Sequence, residues 1–185
     1  DLAGQAPLAE VTETMTQLAD LAVAEALRVL RGPLVARHGE PRDAEGHVLP
    51  FIVIGMGKLG GRELNVSSDI DLIFVYPDDG ETDGPSGIGN FEFFTKLGRQ
   101  LIGALAEVTG DGQVFRVDMR LRPNGDSGPL VASFDMLENY FITQGREWER
   151  YAWIKARAMT GERDDDLAAL ARPFVFRKYL DFGAV

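Results

Sequence analysis

An α+β fold follows from three features of the 185-residue sequence. Two apolar runs, residues 50–55 and 69–76, have the length and β-branched content of buried strands. A third segment, residues 113–122, alternates apolar and charged side chains as a half-exposed strand does. Around these, residues 8–31 and 90–108 repeat apolar side chains at three- and four-residue steps, the period of amphipathic helices. At 45% hydrophobic and 26% charged residues, the chain is globular and can bury one core with a small helical annex.

Composition narrows the function. A net charge of −10 and a pI near 4.7 disfavour nucleic acid as a partner, although a local basic patch could hold one nucleotide. There is no cysteine, and the two histidines, His38 and His47, fall in an expected loop. Thiolate or His-rich zinc sites are therefore not expected, and oxygen ligands remain as the way to hold a metal. No apolar run approaches a membrane span and the N-terminus lacks a secretory signal, so a cytoplasmic location without a membrane partner is expected. The start at Asp1 and the end at DFGAV suggest a piece of a longer protein.

The first helix carries Leu8, Val11, Met15, Leu18 and Ala22, and Gly32-Pro33 is expected to stop it. Such a stripe serves ordinary packing more often than partner docking. Residues 36–49 are polar, contain glycine and proline, and form a connection to the core. The expected organisation is thus a helix and linker over residues 1–48, a core over 49–133, and a truncated helical extension over 134–185.

The core opens on FIVIGMGKLGG, an apolar strand running into a turn where Gly55, Gly57, Gly60 and Gly61 surround Lys58. Glycines let backbone N–H groups crowd around an anion, and the lysine adds charge. VSSDIDLIFVY then begins the second strand with Asp69 and Asp71 two residues apart, on one face. Two anions so close repel each other, and a hard divalent cation, usually Mg²⁺, removes the conflict. Alone, Asp-x-Asp is more often a strand end or turn. Together, strand, phosphate-sized turn and carboxylate-headed strand point to metal-assisted handling of a nucleotide. Ser67 and Ser68, just before the acids, suit turn or cap chemistry as well as a phosphate contact.

Beyond Pro77, DDGETDGPSGIG lacks the ligand spacing of a calcium loop and reads as a solvated surface. The helix over 90–108 places Phe91, Phe94, Leu97, Leu101 and Leu105 on its buried face. In the strand over 113–122, Val117, Met119 and Leu121 point one way, while Arg116, Asp118, Arg120 and Arg122 point the other. Asp118 there suits a third metal-ligating carboxylate beside phosphate-binding cations, or a cross-strand ion-pair surface. A loop over 123–129 leads to a short strand at Leu130-Val131, and Ser133 caps a helix to about residue 144. A further helix is expected over 147–159, with Trp148, Tyr151 and Lys155 on one face and Arg157 roughly 200° away. The Asp164, Asp165, Asp166 triplet opens a last helical segment, followed by the aromatic tail PFVFRKYLDF.

GMGKLGGRELNVSSDIDLIF, VDMRLRPNGDSGPLVASF, NYFITQGREWERYAWIKARAM and RPFVFRKYLDF occur in that order from about Ile52 to the end. They resemble the bifunctional glutamine synthetase adenylyltransferase/adenylyl-removing enzyme family. The resemblance implies a nucleotidyltransferase fold of the DNA polymerase β type, a mixed sheet with flanking helices. It implies that Asp69, Asp71 and Asp118 are the catalytic carboxylates and hold one or two Mg²⁺ ions. It also implies phosphate or nucleotide contacts from Gly57, Lys58, Gly60, Gly61, Ser68, Arg120, Arg122, Lys155 and Arg157. The glycine-serine pair usual in that superfamily falls here at Gly60-Gly61 or at Gly57-Lys58.

The family carries two such domains, one removing AMP from a glutamine synthetase tyrosine by phosphorolysis to give ADP, the other adding AMP from ATP. SSDIDL, DMRLRP followed by SGPLV, and RYAWIKAR resemble the removing domain; the adding domain reads closer to GSDLDL, DTRLRP and AGLLV. The expected function is Mg²⁺-dependent deadenylylation in the control of nitrogen assimilation. Its partners would be glutamine synthetase, ADP or ATP, inorganic phosphate and, for the full-length enzyme, a PII signalling protein. Adenylyl transfer from ATP, or a regulatory nucleotide-binding module without activity of its own, are the alternatives.

Overall fold

The most apolar run of the sequence becomes the middle of a mixed sheet. A computed structural model describes residue 4 and residues 6–161 and 164–176; the RKYLDF end of the aromatic tail lies outside them. In chain order the elements are α1 (Leu8–His38), β1 (Ile52–Gly55), α2 (Gly57–Gly60), β2 (Ile70–Tyr76), α3 (Asn90–Ala106) and β3 (Val117–Asp118). They continue with β4 (Val131–Ser133), α4 (Phe134–Thr143), α5 (Glu147–Trp153), β5 (Arg157–Ala158) and α6 (Asp164–Val175).

β2 is buried along its whole length except at Asp71, which is half-buried. β1 pairs antiparallel along one edge, from Ile52 opposite Val75 to Gly55 opposite Leu72. The opposite edge is shared by two parallel strands. β3 takes its beginning, with Ile70 opposite Val117 and Asp71 opposite Asp118, and β4 takes its end, with Phe74 opposite Val131. β5 closes the outer edge of β1.

Both faces of the sheet are covered, and the side-chain period of two sorts them cleanly. Phe51, Val53, Leu72, Phe74 and Tyr76 face α1 and α3, where the Phe51, Phe74 and Phe94 rings meet at centroid distances of 5.2 and 5.5 Å. Ile52, Ile54, Ile73 and Val75 face α4, α5 and α6, where Phe141 stacks on Phe174 at 4.2 Å and meets Trp153 edge-on. Asp71 has the parity of Ile73 and Val75. Each such apolar side chain contributes about 1.5–3 kcal/mol by leaving water, so the strand that begins with carboxylates is the best-anchored element.

Several sequence expectations need correction. α1 does not stop at Gly32-Pro33 but runs to His38. A proline inside a helix costs about 3 kcal/mol, and the burial of Leu34 and His38 beyond it, with His38 Nδ1 2.7 Å from the Ser86 carbonyl oxygen, offsets that. Phe91 on α3 is exposed, and its neighbour Phe93 takes the buried place. Asn90 begins the helix with its side-chain amide donating to the Arg42 carbonyl, 2.8 Å away.

The expected strand over 113–122 pairs only at Val117 and Asp118. Asp118 Oδ1 accepts the backbone N–H of Arg120 at 2.8 Å, and that local bond turns the chain out of the sheet. The helix expected over 147–159 ends at Trp153, because Arg157 and Ala158 are drawn to the open edge of β1. Lys155 and Arg157 therefore do not lie on helix faces. The acidic loop after β2 is not wholly solvated either. Thr82 is buried, and Asp83 binds Arg42 Nε at 2.5 Å and the Glu40 N–H at 2.7 Å, tying the loop to the linker.

Candidate active site

The head of β2 gathers most of the chemistry-bearing residues. β1 ends at Gly55, and Met56 donates its N–H to the Asp71 carbonyl at 2.9 Å, so the turn that follows begins beside the second aspartate. Gly57 has φ +53, a left-handed conformation that side chains other than glycine rarely adopt. A Cβ there would stand 2.9 Å from Asp71 Oδ2, so the carboxylate lies directly against the Gly57 backbone. One helical turn, α2, carries Lys58 next, and its Nζ is 3.5 Å from Ser68 Oγ.

Asp71 and Asp118 are register partners on adjacent parallel strands, which places both carboxylates on the same face. Burial holds the Asp71 carboxyl above its usual range, reinforced by Asp118 and Asp69 and opposed by Arg120 and Lys58. The Arg120 guanidinium holds Asp118 below the usual range, donating from Nε to Oδ2 at 2.8 Å. Asp69, one residue ahead of β2, accepts from Arg116 Nε, and Arg116 also donates to the Ser67 carbonyl at 2.7 Å.

The three acids do not close into a ligand cage. Among the described residues, only Asp43, Glu45 and His47 have three ligand atoms all within 4.8 Å of one another. Asp69 and Asp118 are instead turned to Arg116 and Arg120, whose side chains are 62% and 75% exposed and so free to swing aside. The donor set fits a hard divalent cation. It is all oxygen, and the repulsion from Asp118 and Asp69 that adds to burial in raising the Asp71 carboxyl is what a bound cation would relieve.

The other expected phosphate contacts divide into two groups. Gly60 is packed so tightly that an added Cβ would lie 2.0 Å from the Lys155 carbonyl, and Gly61 lies under the Lys155 side chain. Lys155 Nζ binds Glu63 at 2.8 Å, and Arg157 binds Asp20 of α1 at 2.8 Å and the Leu59 carbonyl at 3.3 Å. These two cations and two glycines therefore brace the turn from behind. Arg122 is turned to its own loop, its side chain largely buried, donating to the Met119 carbonyl at 2.7 Å and to Asp126 at 3.3 Å.

Sequence reasoning missed the bracing partners Asp20 and Glu63: nothing in a helical stripe says that Asp20 will meet the distant Arg157, and nothing local says that Glu63, after α2, will meet Lys155. It also missed a cleft of about 530 Å³ beside Asp118, between the loop after β3 and the α4–α5 turn. A cluster of arginines flanked by Trp148 was its only trace in the sequence.

The glutamate-ammonia ligase adenylyltransferase family matches residues 1–172. Curated relatives described as bifunctional glutamine synthetase adenylyltransferase/adenylyl-removing enzyme align along all of this chain. The protein from Aromatoleum aromaticum is 71% identical over 185 residues, 20% of its length. That from Burkholderia mallei is 62% identical over 194 residues, 21% of its length. That from Chromobacterium violaceum is 61% identical over 185 residues, 20% of its length. The chain thus spans about a fifth of the curated relatives it matches.

Proposed function

This chain belongs to the glutamate-ammonia ligase adenylyltransferase family, and we propose that it is the part that removes AMP from an adenylylated tyrosine of glutamine synthetase by phosphorolysis. The fold is read as a nucleotidyltransferase of the DNA polymerase β type working in the cytoplasm. The observation that carries the proposal is the side-by-side register of Asp71 and Asp118, with the Gly57 backbone pressed against Asp71. The choice of removal over addition rests on the SSDIDL, DMRLRP and SGPLV motifs.

Asp69, Asp71 and Asp118 would hold one or two Mg²⁺ ions, which when bound neutralise phosphate charge and favour departure of the tyrosine oxygen. Lys58, Ser68 and the glycine turn bind and orient the AMP phosphate. An oxygen of inorganic phosphate forms the new bond to the AMP phosphorus while the bond to the tyrosine oxygen breaks. The products are ADP and tyrosine, the phenolate taking its proton from solvent. A phenolate leaves readily, so no strong general acid is demanded of the chain. Arg157 and Lys155 act through the turn they brace rather than on substrate. In the full-length enzyme, glutamine synthetase is the substrate and a PII protein a regulatory partner.

The test is incubation with glutamine synthetase carrying labelled AMP, with and without phosphate. Phosphate-dependent, Mg²⁺-dependent release of labelled ADP is expected. Labelling of unmodified glutamine synthetase from labelled ATP, with no ADP release, would assign the chain to addition instead. Nucleotide and Mg²⁺ binding with neither reaction would assign it to a regulatory module.

A further inference from the structure

We infer that the cleft beside Asp118 is the subsite for the attacking inorganic phosphate, distinct from the glycine turn that takes the AMP phosphate. Three arginines, Arg120, Arg122 and Arg146, line this one cleft in a chain whose net charge is −10. Arg120 and Arg122 are each paired with one acid, Asp118 and Asp126, and a guanidinium has more donors than one carboxylate takes up, so donors remain for an anion. Planar, multi-donor guanidinium groups match the oxygens of phosphate.

The hydrogen-bonding state of the cleft supports the inference. Arg122 Nε is buried and has no partner, although the Nη1 of the same side chain is engaged by the Met119 carbonyl and Asp126. Buried donors are nearly always satisfied, so this one is spare hydrogen-bonding capacity in the cleft wall, which a small shift of the side chain would turn to an anion. The single acid in the wall, Glu149, is already committed. It accepts from the Tyr140 hydroxyl at 2.5 Å and from the Arg146 N–H at 2.7 Å, and it is buried. The cleft therefore presents donors and little competing negative charge. Arg120 links it to the acids, since this residue lines the cleft and its guanidinium clasps Asp118. An anion that drew Arg120 into the cleft would free Asp118 for a cation. The inference deepens the phosphorolysis proposed above and rests on it for its purpose, but binding is measured without turnover, so the two fail separately.

Trp148 lines the cleft and is half-exposed, whereas Trp153 is buried in the core, so indole fluorescence reports on this place. The 185-residue chain is titrated with potassium phosphate at constant ionic strength, and in parallel with AMP. Saturable change with phosphate is expected, abolished as a signal in Trp148→Phe and weakened at least tenfold in affinity by Arg146→Gln, an exposed position that does not threaten folding. Arg99→Gln, an exposed arginine on α3, should bind as the parent does. Arg122→Lys, which keeps the charge but not the Nε donor, should also weaken binding. No saturable response, equal weakening in Arg99→Gln, or AMP binding without binding of inorganic phosphate would each overturn the assignment.

Discussion

The closest test of the site's construction is Gly57→Ala. At φ +53 an alanine costs about 1 kcal/mol through its Cβ, which for a chain of this size lowers Tm by roughly 2–4 °C. The added Cβ would stand 2.9 Å from Asp71 Oδ2, so the carboxylate must retreat by about half an ångström to reach ordinary contact. A misplacement of that order in a reacting constellation costs about ten- to a hundredfold in turnover. The assay is phosphate-dependent ADP release at saturating Mg²⁺, read beside thermal unfolding of the same preparation. Gly61→Ala is the internal comparison, because its Cβ would press on the flexible Lys155 side chain, Cδ at 3.0 Å, and make ordinary contact with the Gly57 carbonyl oxygen at 3.4 Å, without a left-handed φ. A modest Tm loss with turnover down at least tenfold in Gly57→Ala, and near-parent turnover in Gly61→Ala, is expected. Parent-like turnover in Gly57→Ala would refute the idea that this contact sets the position of Asp71.

Two further outcomes follow from the same geometry. Asp71 has a folded-state pKa raised by burial first and then by Asp118 and Asp69. Its charge is penalised once pH rises through that value, and the penalty vanishes below the unfolded value, near 3.9. Asp71→Asn should therefore raise the metal-free Tm at neutral pH, give no gain at about pH 3, and abolish turnover; a lowered Tm at neutral pH would contradict this. Arg157→Met removes charged hydrogen bonds to Asp20 and the Leu59 carbonyl, and a loss of about 2 kcal/mol in unfolding free energy is expected. An unchanged denaturation midpoint would show that the brace between α1 and α2 does not matter.

Much of the site was legible because its residues are close in sequence or fixed by alternation. Asp69 and Asp71 head the most apolar run, and the parity of Val117 against Asp118 agrees with the register that sets Asp118 opposite Asp71. Alternation could not say where pairing would stop. Asp118 ends its own strand by accepting the Arg120 N–H, leaving the far end of β2 to β4.

The segment after Trp153 shows the other limit. Residues 154–159 continue a helical pattern locally, but the exposed edge of β1 offers unpaired backbone groups, and Arg157 and Ala158 satisfy them. Pro33 misled in the same way, since a local stop signal lost to the burial of Leu34 and His38. The cleft was illegible because Arg120 and Arg146 are brought together only by the path of the loop after β3.

The account depends most on Asp71 and Asp118 sharing one divalent cation. Mn²⁺, as a paramagnetic substitute for Mg²⁺, can be titrated into the parent chain and into Asp71→Asn and Asp118→Asn, with free ion read by electron paramagnetic resonance. Saturable uptake by the parent and its loss in both variants is predicted. Unchanged uptake in either variant would contradict the shared site.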